Sequence, residues 1–143
     1  MSKKTLFGVA IAFGVIIATL TPAASADNLS GADRILCASI EATRCDLDAC
    51  VTDDPVLWNI PQFIEIDLNK KTMQTTVASG SNRVTSFPTM LREGGHIYIQ
   101  GIEGGRAFSL VIHETSGELN AAVAASGTST AVFAACTPLP AAN

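Results

Sequence analysis

The sequence predicts an exported all-β domain, an antiparallel up-and-down barrel of about eight strands that disulfides hold together. Three observations support this fold class. From Gln62 onward, short apolar segments alternate with turn residues at intervals of roughly 8–12 residues, which is typical of β-sandwiches and barrels. Several of these segments alternate apolar and polar residues, as half-buried strands do. All four cysteines follow an N-terminal apolar leader, so they belong to the part of the chain that enters an oxidising compartment.

Residues 1–26 have the organisation of a secretory signal peptide. Two lysines precede an uncharged, mostly apolar run from Leu6 to Leu20, and Ala24-Ser25-Ala26 offers small residues for cleavage. The run is about 15 residues long, shorter than the roughly 20 that a membrane-spanning helix needs. We therefore expect cleavage after Ala26 and a single mature barrel domain at 27–143 without a membrane span. Its expected location is the periplasm or the extracellular space.

The charge of the mature chain excludes two kinds of partner. Cleavage removes two of the nine basic residues and leaves all thirteen acidic ones, so the net charge is −6 with neutral histidines. Nucleic acids and anionic membranes attract clusters of lysine and arginine, so neither is expected as a partner. An acidic surface suits a basic protein instead. Composition carries no signal for an oligomeric state.

The predicted strands begin at Phe63. In the segment Phe63 to Leu68, Ile64 and Ile66 share one face. Glu65 and Asp67 lie on the opposite face, which is the pattern of a strand with one side in the core. Six further strands are expected around residues 73–78, 83–87, 96–102, 107–113, 119–125 and 130–136, with Gly, Pro, Ser and Asn in the turns between them.

The segment Arg34 to Val51 is ambiguous. Leu36, Ile40 and Leu47 would form one stripe of a helix, whereas residues 35–43 would also make a strand with both faces partly covered. The strand interpretation is favoured, because it supplies an eighth strand and lets the barrel close by pairing the first strand with the last.

Four cysteines allow three disulfide connectivities. Barrel closure favours one of them, since antiparallel neighbours bring the start of the first strand, with Cys37, beside the end of the last, with Cys136. Cys45 and Cys50 would then close a short acidic loop. A zinc site is the alternative, but no histidine follows these cysteines at the spacing of a zinc finger.

The only two histidines meet if Gly104-Gly105 is a two-residue hairpin turn, because that turn places His96 directly opposite His113. Opposed Cβ atoms lie about 4.5–5.5 Å apart, close enough to share a metal. Zinc requires three or four ligands, and the nearest candidate, Glu114, should point to the other face. An exposed cross-strand pair is therefore favoured over a metal site, and no metal or other cofactor is expected.

Catalytic constellations are weak in this sequence. Glu65 and Asp67 would lie about 7 Å apart, a separation that inverting glycosidases use, but strand alternation alone places them so. The four aspartates between Asp46 and Asp54 lack the glycine and the distal glutamate of an EF-hand loop. No serine, histidine and carboxylate occur at an informative spacing. We therefore expect a protein that is not an enzyme.

The last two strands contain seven alanines between Ala121 and Ala135. A barrel of about eight strands is either filled by side chains or holds one small ligand, so small inward residues favour a cavity. The alternative is that Phe108, Leu110 and Phe133 fill the space. Trp58, the single tryptophan, is expected to plug one end of the barrel or to line a ligand mouth.

Three segments carry a family resemblance. At residues 63–68 (FIEIDL), 100–112 (QGIEGGRAFSLVI) and 132–139 (VFAACTPL), the chain resembles a family of small exported proteins of Gram-negative bacteria that has no assigned function. This resemblance implies an envelope or secreted domain and supplies no mechanism.

A weaker resemblance is to the periplasmic inhibitors of C-type lysozyme, small disulfide-bonded barrels that insert a Ser-Gly loop into the lysozyme cleft. Residues 78–81 (ASGS) look like that loop, and residues 98–101 (YIQG) stand at a second motif, with Gln100 in place of a lysine. The resemblance implies that Ser79, Gly80 and Ser81 form the contact loop.

Two classes of function follow from the sequence. The first is a non-catalytic protein-binding domain of the cell envelope, of which a lysozyme inhibitor is one form. The alternative is a carrier that holds a small ligand in the barrel interior, which predicts an enclosed cavity larger than about 300 Å³.

Overall fold

A computed structural model describes residues 27–80 and 82–140 and confirms the all-β fold class. The predicted signal peptide lies outside these residues. The ten strands are β1 (Arg34–Cys45), β2 (Cys50–Asp53), β3 (Phe63–Asp67), β4 (Thr72–Thr75), β5 (Val84–Ser86), β6 (Thr89–Glu93), β7 (His96–Glu103), β8 (Arg106–His113), β9 (Glu118–Ala125) and β10 (Thr128–Pro138). Two 3₁₀ turns span Pro55–Trp58 and Val77–Ser79. Within the described ranges, no helix is long and apolar enough to cross a membrane.

Nine of the strands form one antiparallel path, β5-β4-β3-β1-β10-β9-β8-β7-β6, which curls into a half-barrel. The tenth strand, β2, pairs with the far end of β1. The first and last strands of the domain pair along their length, as predicted, but this pairing lies in the middle of the path and does not close a barrel, since no pairing joins β5 to β6 among the described residues. The two outer strands, β5 and β6, are consecutive in the sequence and are joined by Phe87 and Pro88.

The segment Arg34 to Val51 contains a strand, so the helical alternative is wrong. β1 pairs with β10 on one edge, and with β3 and then β2 on the other, so both rows of backbone hydrogen-bonding groups are used. The stripe proposed for a helix is not buried, since Ile40 is 59% exposed and Leu47 is 93% exposed. A bulge between Ser39 and Glu41 shifts the register on β10 and leaves Ile40 unpaired there.

The number of strands is a correction to the prediction. The sequence pattern gives seven strands after Gln62, and the structure has eight, because β6 was missed. Proline ends a strand by removing a backbone donor. Here Pro88 occupies only the corner between β5 and β6, and the chain resumes pairing at Thr89, opposite Gln100.

Both predicted disulfides are present, Cys37–Cys136 and Cys45–Cys50. Each joins residues that lie directly opposite one another on paired strands. Disulfides persist in oxidising compartments, so the two bridges indicate an extracytoplasmic environment.

The half-barrel has two different ends. At the packed end, which carries the turn at Glu93-Gly94-Gly95, side chains from most strands surround Leu29 of the N-terminal segment, which is fully buried. Burial of the Leu29 side chain covers this end of the core. A fully buried leucine contributes roughly 1.5–3 kcal/mol to the stability of the fold. The opposite end, called the open end here, carries the turns at Gly104-Gly105 and Ser126-Gly127.

Candidate functional site

A cavity of about 260 Å³ extends from the middle of the half-barrel to the open end. Its inner part is apolar and is shared with the core, where Cys37, Ile66, Leu110, Leu119 and Ala134 line it. Towards the open end the wall becomes polar and charged, and Arg44, Arg83, Glu103, Arg106 and Thr128 line it. The arrangement offers an apolar enclosure with a charged mouth.

Small side chains on β9 and β10 create this space. Ala121 and Ala125 on β9 and Ala134 on β10 line the cavity. Their neighbours Ala122 and Ala124 face outward, because successive side chains of a strand point to opposite faces. Phe133, one of the residues that could have filled the barrel, also faces outward and is 46% exposed.

Gly101 on β7 keeps a large ring out of the cavity. It lies directly opposite Phe108 on β8, and a Cβ atom built on Gly101 would be only 2.4 Å from Cζ of Phe108. The ring of Phe108 can rest against the β7 backbone because Gly101 has no side chain. The cavity wall is therefore flat at this position.

Trp58 contributes to the cavity from outside the sheet. It ends the 3₁₀ turn Pro55–Trp58, whose first backbone amide groups are capped by the carboxylate of Asp54, which accepts from the N–H of Val56 at 2.9 Å. Trp58 and the three residues that follow it line the cavity. Of the two roles expected for this tryptophan, the geometry supports that of a residue lining the cavity.

The arginines divide into two groups. Arg34 pairs with Glu65, Arg83 with Glu103 and Arg92 with Glu114. Arg44 and Arg106 form no ion pair within the described ranges, and both line the cavity.

The charge balance at the mouth is positive. Glu103 is the one carboxylate that lines the cavity among the described residues, and it is already engaged. It accepts a hydrogen bond from the hydroxyl of Thr85 at 2.6 Å and lies 3.1 Å from Nε of Arg83. Three arginines and one carboxylate give the mouth a net charge of +2, although Asp46 lies close enough to Arg44 for the charge of Arg44 to lower its pKa.

The predicted register of the β7–β8 hairpin is confirmed, with His96 opposite His113. Gly104 and Gly105 both have positive φ, 56° and 76°, as a two-residue turn of this hairpin type requires. The two imidazole rings meet edge to face with centroids 4.9 Å apart. They lie at the packed end of the sheet.

Hydrogen bonds of the two histidines are local. Nδ1 of His96 lies 3.0 Å from the carbonyl oxygen of Gly94, and Nδ1 of His113 lies 2.9 Å from the hydroxyl of Ser116. Among residues 27–80 and 82–140, no group of three or more His, Cys, Asp or Glu side chains is placed to hold a metal ion. The geometry gives the pair the features of a cross-strand contact.

The predicted contact loop is tied to β3. The hydroxyl of Ser79 accepts a hydrogen bond from the backbone N–H of Phe63 at 2.7 Å and donates one to the carbonyl oxygen of the same residue at 3.0 Å. Gly80 ends the 3₁₀ turn, and Ser81 lies outside the described residues. The side chain of Ser79 therefore faces the fold.

The acidic side chains that resemble catalytic or calcium-binding sets have structural roles. Asp67 accepts hydrogen bonds from the backbone of Lys70 and pairs with its ammonium group at 3.2 Å. Asp46 accepts from the backbone N–H groups of Asp48 and Ala49, which shapes the β1–β2 loop. These hydrogen bonds are the main cause that lowers the pKa of Asp46, and the charge of Arg44 adds to the effect.

Fold and cavity together define the class of protein as a disulfide-bonded, all-β half-barrel with an interior cavity. Comparison with protein-family models, with curated proteins and with solved structures finds no match. The cavity and its mouth are therefore the basis for a functional proposal.

Proposed function

We propose that the protein is an exported, non-catalytic binding domain that carries a small, largely apolar ligand inside the half-barrel, in the periplasm or outside the cell. The observation that carries the proposal is the cavity of about 260 Å³ with an apolar inner wall. Ligand sites are typically concave, mostly apolar and equipped with a few polar groups, and this cavity has that composition.

The volume limits the size of the ligand. It exceeds an apolar cavity of about 150 Å³, which holds benzene. It lies just below the roughly 300 Å³ at which pockets for drug-sized molecules begin, and below the value expected above for a carrier. The ligand is therefore larger than benzene and smaller than most drugs.

Titration with a neutral fluorescent amine, N-phenyl-1-naphthylamine, tests the proposal. Trp58 is the single tryptophan and lines the cavity, so energy transfer from it reports a probe bound inside. Ala121→Phe places a ring in the cavity and should weaken binding at least tenfold, whereas Ala122→Phe on the outer face of the same strand should leave binding unchanged.

Equal binding to both variants would contradict an interior site. Circular dichroism and a thermal melt establish that each variant is folded. Ala125→Leu, with Ala124→Leu as its outward-facing control, repeats the test with a smaller increase in volume if Ala121→Phe does not fold. Native mass spectrometry of protein exported by its own host would then identify the ligand as extra mass that denaturation removes.

A protein partner is the second candidate, and the β1–β2 hairpin favours it. Leu47 at its tip is 93% exposed and Val51 is 56% exposed, with Asp46, Asp48 and Asp53 beside them. An exposed apolar tip among carboxylates suits a basic protein. Binding to C-type lysozyme that Leu47→Ser and Asp48→Lys both weaken would support this candidate, and binding that survives both would exclude the hairpin.

A further inference from the structure

The two arginines without an ion pair point to the charge of the ligand, an inference that rests on the carrier function proposed above. The mature chain carries a net negative charge, whereas the residues at the cavity mouth carry a net positive charge. The mature chain is acidic, with thirteen acidic residues against seven basic ones after signal cleavage. Yet the cavity mouth brings three arginines, Arg44, Arg83 and Arg106, to one carboxylate, Glu103.

The local pairing leaves two guanidinium groups available. Arg83 and Thr85 both contact the same oxygen of Glu103, Oε1, and the whole carboxylate carries a single negative charge, so it cannot balance all three arginines. Arg44 and Arg106 are exposed and have no ion pair among the described residues. Guanidinium groups present planar donors that match the two oxygens of a carboxylate.

We infer that the ligand is an amphipathic anion whose apolar body fills the cavity and whose carboxylate-like head group is bound at the mouth by Arg44 and Arg106. The apolar body would contact Leu110, Ala121 and Ala134, which line the inner cavity. Glu103 is paired with Arg83, so the other two arginines at the mouth remain to attract an anionic head group. A neutral or cationic amphiphile would leave both arginines without a partner.

Three probes with the same ten-carbon chain isolate the effect of the head group: decanoate, decanol and decyltrimethylammonium. Each is titrated against the wild-type protein at pH 7 and low salt by displacement of N-phenyl-1-naphthylamine. Charge-assisted hydrogen bonds from a guanidinium group should make decanoate bind about tenfold or more tightly than decanol. Decyltrimethylammonium should bind most weakly.

Variants then assign the preference to residues. Arg44→Gln and Arg106→Gln should each reduce the advantage of decanoate over decanol, and the double variant should abolish it while decanol binding stays unchanged. Lys71→Gln is the matched control, because Lys71 lies in the β3–β4 turn at the packed end and forms no ion pair in the described part of the chain. It removes the same charge and should leave the preference intact.

The outcomes separate this inference from the carrier function. Equal binding of decanoate and decanol to the wild type, or a preference that survives in the double variant, overturns the head-group inference and leaves the carrier intact. If the wild type binds neither the fluorescent amine nor any of the three probes, the carrier function itself is overturned. Decanoate binding that Ala121→Phe does not weaken overturns both, because the anion would then be on the surface.

Discussion

At the scale of single residues, the cavity wall depends on Gly101, a residue without a side chain. Gly101→Ala would place a Cβ atom at 2.4 Å from Cζ of Phe108, so this ring, which lines the cavity, must shift. Overpacking of this kind costs roughly 1–3 kcal/mol. We expect lower stability in urea and weaker binding of N-phenyl-1-naphthylamine.

A second substitution checks the cause. In the double variant Gly101→Ala/Phe108→Leu, the smaller side chain removes the clash, so stability and probe binding should both recover in part. Full probe binding in the single variant would show that the position of the Phe108 ring does not control the volume of the cavity.

Asp67, a carboxylate outside the cavity, contributes to acid sensitivity. Burial raises the pKa of Asp67, but hydrogen bonds from the backbone and side chain of Lys70, together with the charges of Lys70 and Arg34, outweigh it and hold the pKa below its ordinary value of 3.8. Because the folded-state pKa lies below the unfolded-state pKa, ionised Asp67 stabilises the fold at neutral pH. This contribution is lost as the pH falls below about 4 and through the folded-state pKa.

Asp67→Asn should therefore reduce the difference in urea midpoint between pH 6 and pH 3, mainly by lowering the midpoint at pH 6. Asp48→Asn is the control, since the carboxylate of Asp48 has no hydrogen-bond donor in the described ranges. If the difference in urea midpoint between pH 6 and pH 3 is unchanged in the Asp67 variant, other carboxylates determine the loss of stability at low pH.

At the scale of elements, the parts that sequence could predict are those with a local geometric constraint. The two-residue turn at Gly104-Gly105 fixes the register of β7 and β8, and alternation then fixes the faces. Alternation from His96 and His113 places Ile97, Ile99 and Ile112 on the opposite face of the hairpin, and all three are fully buried. Pairing between the first and last strands likewise places Cys37 opposite Cys136.

The elements that sequence missed lack such a constraint. β6 follows β5 after a single corner at Phe87 and Pro88, and the proline predicts an end to pairing there. β2 has four residues, too few for alternation to indicate a strand. The apolar–polar pattern of β1 does not indicate the bulge at Ser39 to Glu41. This bulge reverses the face that each later residue of the strand occupies.

Two arginines of the cavity mouth, Arg44 and Arg106, differ in whether the sequence pattern predicts which face they occupy. Arg106 shares a face with Phe108 and Leu110, so period-two alternation already places it on the inside. Arg44 lies beyond the bulge in β1, and simple alternation from Cys37 would have placed it outside. The cavity site was therefore half predictable, and the second cation required the three-dimensional structure.

At the scale of the whole molecule, the packed core and the cavity mouth are located at opposite ends. The packed end contains Leu29, the Cys37–Cys136 bridge and most of the fully buried side chains. The open end contains the cavity mouth, the Cys45–Cys50 bridge and the exposed β2 strand. Regions with few buried contacts open at low cost, so we expect the mouth to open locally while the packed end stays folded.

The two disulfides should therefore stabilise the molecule differently. The bridge between Cys37 and Cys136 spans 99 residues, and in the chain-entropy model such a loop contributes about 4–5 kcal/mol. The bridge between Cys45 and Cys50 spans 5 residues and contributes roughly 2 kcal/mol in the same model. We expect Cys37→Ala/Cys136→Ala to lower the urea midpoint of the whole domain.

Cys45→Ala/Cys50→Ala should instead act locally, because β2 pairs only with β1 and all four of its residues are exposed. Limited proteolysis should then cut this variant in the β1–β2 loop, near Leu47, under conditions in which the wild type is intact, with a smaller change in urea midpoint than the other variant. Equal changes in the midpoint for the two double variants would contradict the division into a packed end and an open end, because both bridges would then belong to one cooperative unit.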